Sequence, residues 1–199
     1  MNYINTDLLL KAVDQSPASI IITDANANIE YINQKFTQIT GYEKDEILRK
    51  NIRILKSGKQ PDEYYQKMWD IISSGSEWKG EFCNIKKNGE EFWESASISP
   101  FKDETGKIIK YVAVKEDITE KKILEKIIKM TDFSIKNSKD GMMWVDEDGK
   151  IIYLNDSYCS MLEYTMEEIK NKLTWFDIVP TESNSIWCEY WKILKTKNN

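Results

Sequence analysis

Asn84 sits in the run WKGEFCNIKKNGEEFWESASIS, residues 78–99, with Phe82 before it and Trp93 and Ser95 after it; Trp69 lies a little upstream. An amide among aromatic rings is one way to line a small-molecule pocket. Rings give flat apolar walls, and a few placed polar groups fix a ligand's orientation. The same residues can instead close a packed core, with the amide satisfying backbone groups. Covalent chemistry is harder to find. The 199 residues contain no histidine, which removes a Ser-His-Asp triad, a phospho-accepting imidazole and a His haem ligand together. Carboxylates are scattered, no nucleophile stands beside a base, and no Gly-rich loop is spaced to cradle a phosphate. Cys83, Cys159 and Cys188 show neither disulfide-framework nor zinc-ligand spacing, so they are expected as free thiols. The pattern points to binding, with no catalytic residue and no metal site expected.

A pocket of this kind needs a sheet to carry it. Asn88-Gly89 is the favoured two-residue type I′ turn, and it opposes Ile85 to Phe92, Asn84 to Trp93 and Phe82 to Ser95. Period-two alternation then turns Trp78, Gly80, Phe82, Asn84, Trp93, Ser95, Ser97 and Ser99 inward. Lys79, Glu81, Cys83, Ile85, Phe92, Glu94, Ala96 and Ile98 fall on the outer face. Their apolar members need a cover, which the N-terminal helix or a second protomer would supply. IIKYVAVKEDI reads as the next strand. Upstream, SIIITDANANIEYIN has two β-branched runs around a polar turn, a hairpin; short helices follow, with Asn33 as a helix cap. NTDLLLKAVDQ is an amphipathic helix capped by Thr6 or Asp7, and after SGKQP a longer helix is capped by Asp62. The expected fold is α+β, with two strands, short helices and three more strands building one sheet that is covered on one side.

Composition sets the remaining bounds. Hydrophobic residues at 41% and charged residues at 31%, with a net charge of −5, describe a globular chain without a basic footprint, so no nucleic-acid partner is expected. No apolar run reaches the ~20 residues of a membrane span, and the start lacks a signal-peptide pattern, which predicts a cytoplasmic location.

The stretch YINQKFTQITGYEKDEI from Tyr31 is repeated as YLNDSYCSMLEYTMEEI from Tyr153, 122 residues later. Without a gap, the same offset matches Asp24 to Asp146, Ile29 to Ile151, Trp69 to Trp191 and Ile71 to Ile193. Two copies of one fold follow. The expected division is an N-terminal helix over 1–16, a complete domain over 17–118, a helical linker over 119–133, and a partial copy over 134–199 lacking the last three strands.

YINQKFTQITGY, EWKGEFCNIKKNGEEFW and SPFKDETGKIIKYVAVKEDITEKK closely resemble a PAS domain with its C-terminal PAC segment. The resemblance implies a five-stranded antiparallel sheet of order 2-1-5-4-3 with short helices on one face. It also implies a sensory or dimerisation module feeding an output domain such as a histidine kinase or a diguanylate cyclase, and the apolar outer face predicts a homodimer formed through the N-terminal helix and that face of the sheet. The first copy is most similar to the flavin-type PAS domain of the nitrogen-fixation regulatory flavoprotein, where Trp69 and Asn84 match positions at the flavin. Ile21, Ile52 and Asp62 replace polar contacts of that site, which disfavours FAD. Asn51-Ile52-Arg53 stands where light-oxygen-voltage sensors carry Asn-Cys-Arg, so the blue-light flavin adduct is not expected. Candidate ligand contacts are Asn84, Trp69, Trp93, Phe82 and Ser95, and the ligand itself is left open. A FAD-binding redox sensor and a ligand-free dimerisation domain are the alternatives.

Overall fold

The computed structural model describes residues 5–170 and 173–178. Two compact units divide the chain, Met1–Leu124 and Glu125–Asn199.

In the first unit α1 (Thr6–Asp14) precedes the hairpin β1 (Ser19–Asp24) and β2 (Ile29–Ile32). The helix cap is Asn5, whose side chain accepts from the Asp7 amide, rather than Thr6 or Asp7 itself. The short helices α2 (Gln34–Thr40) and α3 (Lys44–Ile47), a 3-10 turn (Ile52–Leu55) and α4 (Asp62–Ser73) lead to the meander β3 (Trp78–Ile85), β4 (Glu91–Lys102) and β5 (Ile108–Asp117). Pro61, rather than Asp62, holds the cap position of α4, and Asp62 lies in its first turn. All five strands form one antiparallel sheet in the order β2-β1-β5-β4-β3, the order expected.

The β3-β4 register differs from expectation by one residue. Asn84 opposes Phe92, Cys83 opposes Trp93 and Phe82 opposes Glu94. A type I′ turn needs positive φ at both central residues. Gly89 has φ +88°, but Asn88 does not share that conformation. The hairpin closes instead through a three-residue loop, with Gly89 N–H donating to Lys86 C=O and Lys86 N–H to Glu90 C=O. Because side chains alternate strictly, this slip exchanges the faces of β4. Phe92, Glu94, Ala96 and Ile98 share the inner face with Trp78, Phe82 and Asn84. Trp93, Ser95, Ser97 and Ser99 lie on the outer face. The outer surface is therefore less apolar than the sequence suggested, since Phe92 and Ala96 are buried inside.

Apolar side chains fill both ends of the inner face. Ile21, Ile29, Ile32, Phe36, Ile47 and Leu55 make one cluster; Met68, Ile72, Trp78 and Phe82 belong to another. Gly80 is required beside the second, because a Cβ there would lie 2.4 Å from the Trp78 ring. β3 is an edge strand, and α4 satisfies part of its open backbone: the Tyr64 hydroxyl donates to Glu81 C=O at 2.8 Å and accepts from Glu81 N–H at 3.0 Å.

Helix α1 contributes no buried residue and is held by its last turn. The Tyr31 hydroxyl donates to Asp14 Oδ1 at 2.9 Å. Burial, together with that hydrogen bond and the Asp14 charge, pushes the Tyr31 phenol up to about 12 from its usual 10.0. The folded state therefore keeps a proton that the unfolded chain loses, and the contribution is complete below pH 10.0 and disappears as pH rises to about 12. Alkaline titration followed by circular dichroism is expected to show wild type losing stability over that window more steeply than Tyr31→Phe. Parallel curves would mean that the Tyr31–Asp14 bond does not stabilise the fold.

The division between units falls within α5 (Thr119–Lys136). The second unit then builds β6 (Met143–Val145), β7 (Ile151–Leu154), α6 (Asp156–Leu162), α7 (Met166–Lys170) and α8 (Trp175–Ile178). Its hydrogen bonds repeat those of the first unit at the same offset. Asn33 Oδ1 accepts from Ile20 and Phe36 N–H, and Asn155 Oδ1 from Met142 and Tyr158 N–H. Asp24 Oδ1 accepts from Asn26 and Asn28 N–H, and Asp146 Oδ1 from Asp148 and Lys150 N–H. The matches at Trp191 and Ile193, and Cys188, lie outside the described residues; Cys83 and Cys159 are free thiols.

Candidate functional site

A cavity of about 450 Å³ lies under the helices of the first unit, against the inner face of the sheet. Ile21 and Thr23 line it from β1, Ile52 and Arg53 from the 3-10 turn, and Tyr65, Met68 and Trp69 from α4. Phe82, Asn84, Ile98, Tyr111, Ala113 and Lys115 supply the sheet side. Aromatic contacts make two of its walls: Tyr65 stacks on Phe82 with centroids 5.9 Å apart, and Trp69 meets Tyr111 edge to face at 5.6 Å.

The floor is polar. Lys115 on β5 and Glu94 on β4 form an ion pair with side chains only 5% and 4% exposed. Asn84 Nδ2 donates to the same oxygen, Glu94 Oε1, at 2.6 Å, and Lys115 Nζ lies 5.3 Å from the Phe82 ring centroid. A buried charge is tolerated when it is paired and hydrogen-bonded, and Glu94 has both a cation and an amide. Lys115 lines the cavity, and Glu94 stands behind it.

Of the five residues singled out by sequence, Trp69, Phe82 and Asn84 come together on this cavity. Trp93 and Ser95 do not, because the one-residue register difference places them on the opposite face of β4. Trp93 has another place. Its N–H donates to Thr119 Oγ1 at 2.9 Å, its C=O accepts from Ile118 N–H at 2.9 Å, and Lys122 Nζ lies 5.5 Å from its ring centroid. Asp117 Oδ1 in turn accepts from Thr119 N–H. The first turn of α5 is thereby fastened to the residue next to Glu94. Cys83, expected on the outer face under a cover from the N-terminal helix or a second protomer, is buried by the chain's own segment after the 3-10 turn, which lies along β3 and from which Ser57 donates to the Cys83 carbonyl.

Glu94 and Lys115 were missed by sequence reasoning. A signal existed for Lys115: alternation puts it on the face of Tyr111 and Ala113, both buried, and a lysine there needs a buried acid.

Comparison with known proteins follows the repeat. A PAS-domain profile matches residues 17–120, and a second PAS-domain profile matches residues 133–195. The chain is 30% identical over 155 residues to the nitrogen fixation regulatory protein of Klebsiella oxytoca, covering 76% of this chain and 31% of that protein. It is 33% identical over 114 residues to the bacterioopsin transcriptional activator of Halobacterium salinarum, covering 56% of this chain and 17% of that protein. The chain thus spans less than a third of the length of either relative. Among solved structures, an RNA-binding light-oxygen-voltage receptor superposes with a TM-score of 0.58 at 22% identity, over 67% of this chain and 40% of that one. That likeness speaks for the fold.

Proposed function

Because this chain belongs to the PAS-domain family, we propose that residues 17–118 are a sensory input module whose cavity takes a small ligand and passes the change through α5 to an output domain. The observation that carries this reading is the placement of the Lys115–Glu94 pair. It joins β4 to β5 at the cavity floor, and the neighbouring residue Trp93 holds Ile118 and Thr119. A ligand drawing Lys115 away from Glu94 would move β5 against β4 close to where α5 begins. Transmission by such a shift of one strand against another needs only a small displacement at a packed contact.

The reading extends to assembly and output. Leu8, Leu9 and Leu10 on α1 are at least half exposed, and Val114 faces out from the sheet, which suits a homodimer formed through the N-terminal helix and outer sheet face. A histidine kinase or diguanylate cyclase would be the output, and the chain itself would carry no catalytic step. No helix among the described residues is long and apolar enough to cross a membrane, which is compatible with a cytoplasmic module.

Hydrogen exchange of the full chain tests the coupling. Filling the cavity from its own wall, by Ala113→Met or Ile98→Phe, is expected to change exchange at the Ile118 and Lys122 amides. Unchanged exchange in a filled variant that melts as wild type would sink the reading.

A FAD-binding redox sensor is the second reading, favoured by the convergence of Asn84 and Trp69 on the cavity. Ile21 and Ile52 line the same cavity and offer nothing to the polar edge of an isoalloxazine, whose burial unpaired is costly. The visible spectrum of the purified protein decides: flavin bands would favour the second reading, and a colourless protein that stays unbound on addition of FAD would end it.

A further inference from the structure

We propose that the cavity selects a flat organic anion, with its acid group at Arg53 and Lys56 and a neutral oxygen on Lys115 at the floor. The inference rests on the sensory reading above and names the ligand class of that site. Its basis is the charge of the lining. Every ionised side chain lining the cavity is a cation, Arg53, Lys56 or Lys115, and no Asp or Glu is among the lining residues.

The three cations differ in what they already hold. Arg53 Nε donates to Asn51 Oδ1 at 2.9 Å, and Lys56 Nζ lies 3.5 Å from the Tyr65 ring centroid. Neither is among the ion pairs of the described residues. Both are exposed at the mouth, so their charge is uncompensated and suits an acid. Lys115 is buried and already carries Glu94. A second carboxylate brought there would face Glu94 across one ammonium, and repulsion in a low dielectric is strong. A neutral oxygen meets no such opposition. An ammonium has three N–H donors, and Glu94 is the sole hydrogen-bond acceptor of the Lys115 ammonium among the described residues. Between these poles Tyr65, Trp69, Phe82 and Tyr111 surround the space with rings, which suits a planar body. The volume of about 450 Å³ is within the usual range for small-molecule sites.

Four probes of one shape test the assignment by calorimetry on the full chain. 4-Hydroxyphenylacetate carries both poles, 4-hydroxyphenylacetamide lacks the charge, tyramine reverses it, and phenylacetate lacks the floor oxygen. The acid with both poles is expected to bind about tenfold more tightly than the amide, the scale of two partly exposed charge pairs, and tyramine more weakly still. Phenylacetate should lose several-fold. Arg53→Gln/Lys56→Gln, both at exposed positions, should abolish the preference for acid over amide, and Lys115→Met/Glu94→Leu should abolish the preference for the hydroxyl while avoiding an orphaned buried charge. Equal binding of acid and amide, tighter binding of tyramine, an acid preference that survives the double glutamine variant, or no binding of any acid overturns the proposal. Those outcomes leave the sensory reading standing, since exchange at Ile118 and Lys122 in the filled-cavity variants judges it without any added ligand.

Discussion

Glu94→Ala is expected to destabilise the first unit by about 3–5 kcal/mol, the loss typical of removing one partner from a buried ion pair. The size follows from where the charge is left. Lys115 is 5% exposed, so its ammonium regains little solvation when the carboxylate goes, and the Phe82 ring at 5.3 Å compensates weakly beside a carboxylate. Asn84 loses its acceptor in the same change, leaving a second buried polar group unpaired at a further cost. The exposed pair Lys79–Glu77, with side chains 71% and 46% exposed, gives the contrast: Glu77→Ala should leave stability close to wild type. A second variant separates pairing from packing. Glu94→Leu/Lys115→Met removes both charges and keeps the volume, and it should recover the part of the loss due to the orphaned ammonium, because buried pairs replaced by apolar residues are often neutral or better, while Asn84 stays without its acceptor. Chains of two units need not melt in one transition, so the measurement is hydrogen exchange at β4 and β5 amides in increasing urea. A loss under about 1 kcal/mol for Glu94→Ala would mean that water reaches Lys115, and the polar floor would have to be redrawn as solvent-exposed.

The same pair explains what the sequence did and did not reveal. Strand order was legible only through the resemblance to PAS domains, whereas the strand positions, the helices before β3 and the inward direction of Phe82 and Asn84 follow from local periodicity and from the turn residues flanking each element. The faces of β4 depended on how the hairpin turned. Asn88-Gly89 is compatible with a two-residue type I′ turn or with a three-residue loop in which only the glycine takes positive φ. Local sequence does not separate these closely matched options. Choosing the shorter loop moved Trp93 and Ser95 inward and Phe92 and Glu94 outward. Charge favours that choice as well, since it groups Glu94 with Lys79 and Glu81. The partner that makes Glu94 an inner residue is Lys115, 21 residues later, and only the β4-β5 register brings them together. A buried charge is the kind of residue that single-strand patterning misplaces, because its environment is supplied by another strand.

Asn33→Ala is expected to cost about 3–5 kcal/mol, well beyond the 0.5–2 kcal/mol of a lost helix cap. Asn33 is expected from sequence as a cap, and Asn33 and its counterpart Asn155 each accept from the third residue of their helix. They do more. Asn33 Oδ1 also accepts from Ile20 N–H at 2.9 Å, and its Nδ2 donates to Val13 C=O at 3.1 Å and Ala18 C=O at 2.9 Å. Two donors and two lone pairs are all that the amide has, and all four are engaged at a residue with 0% exposure. The side chain thus ties the end of α1, the start of β1 and the start of α2 at one point. Alanine leaves four backbone groups to find other partners, and those that stay buried each cost about 1–3 kcal/mol. Asn33→Asp should be no milder: it keeps the acceptors but turns a carboxylate toward the Val13 and Ala18 oxygens. In the second unit Asn155 makes the corresponding bonds to Met142, Tyr158, Ile135 and Asp140, so Asn155→Ala should show a comparable loss at that unit's own amides. Exchange at Ile20 and Phe36 for one variant, and at Met142 and Tyr158 for the other, reads the two losses separately. If either variant lost less than about 2 kcal/mol, capping alone would account for that asparagine, and its bonds to the preceding segment would have no share in holding the hairpin to the helix before it.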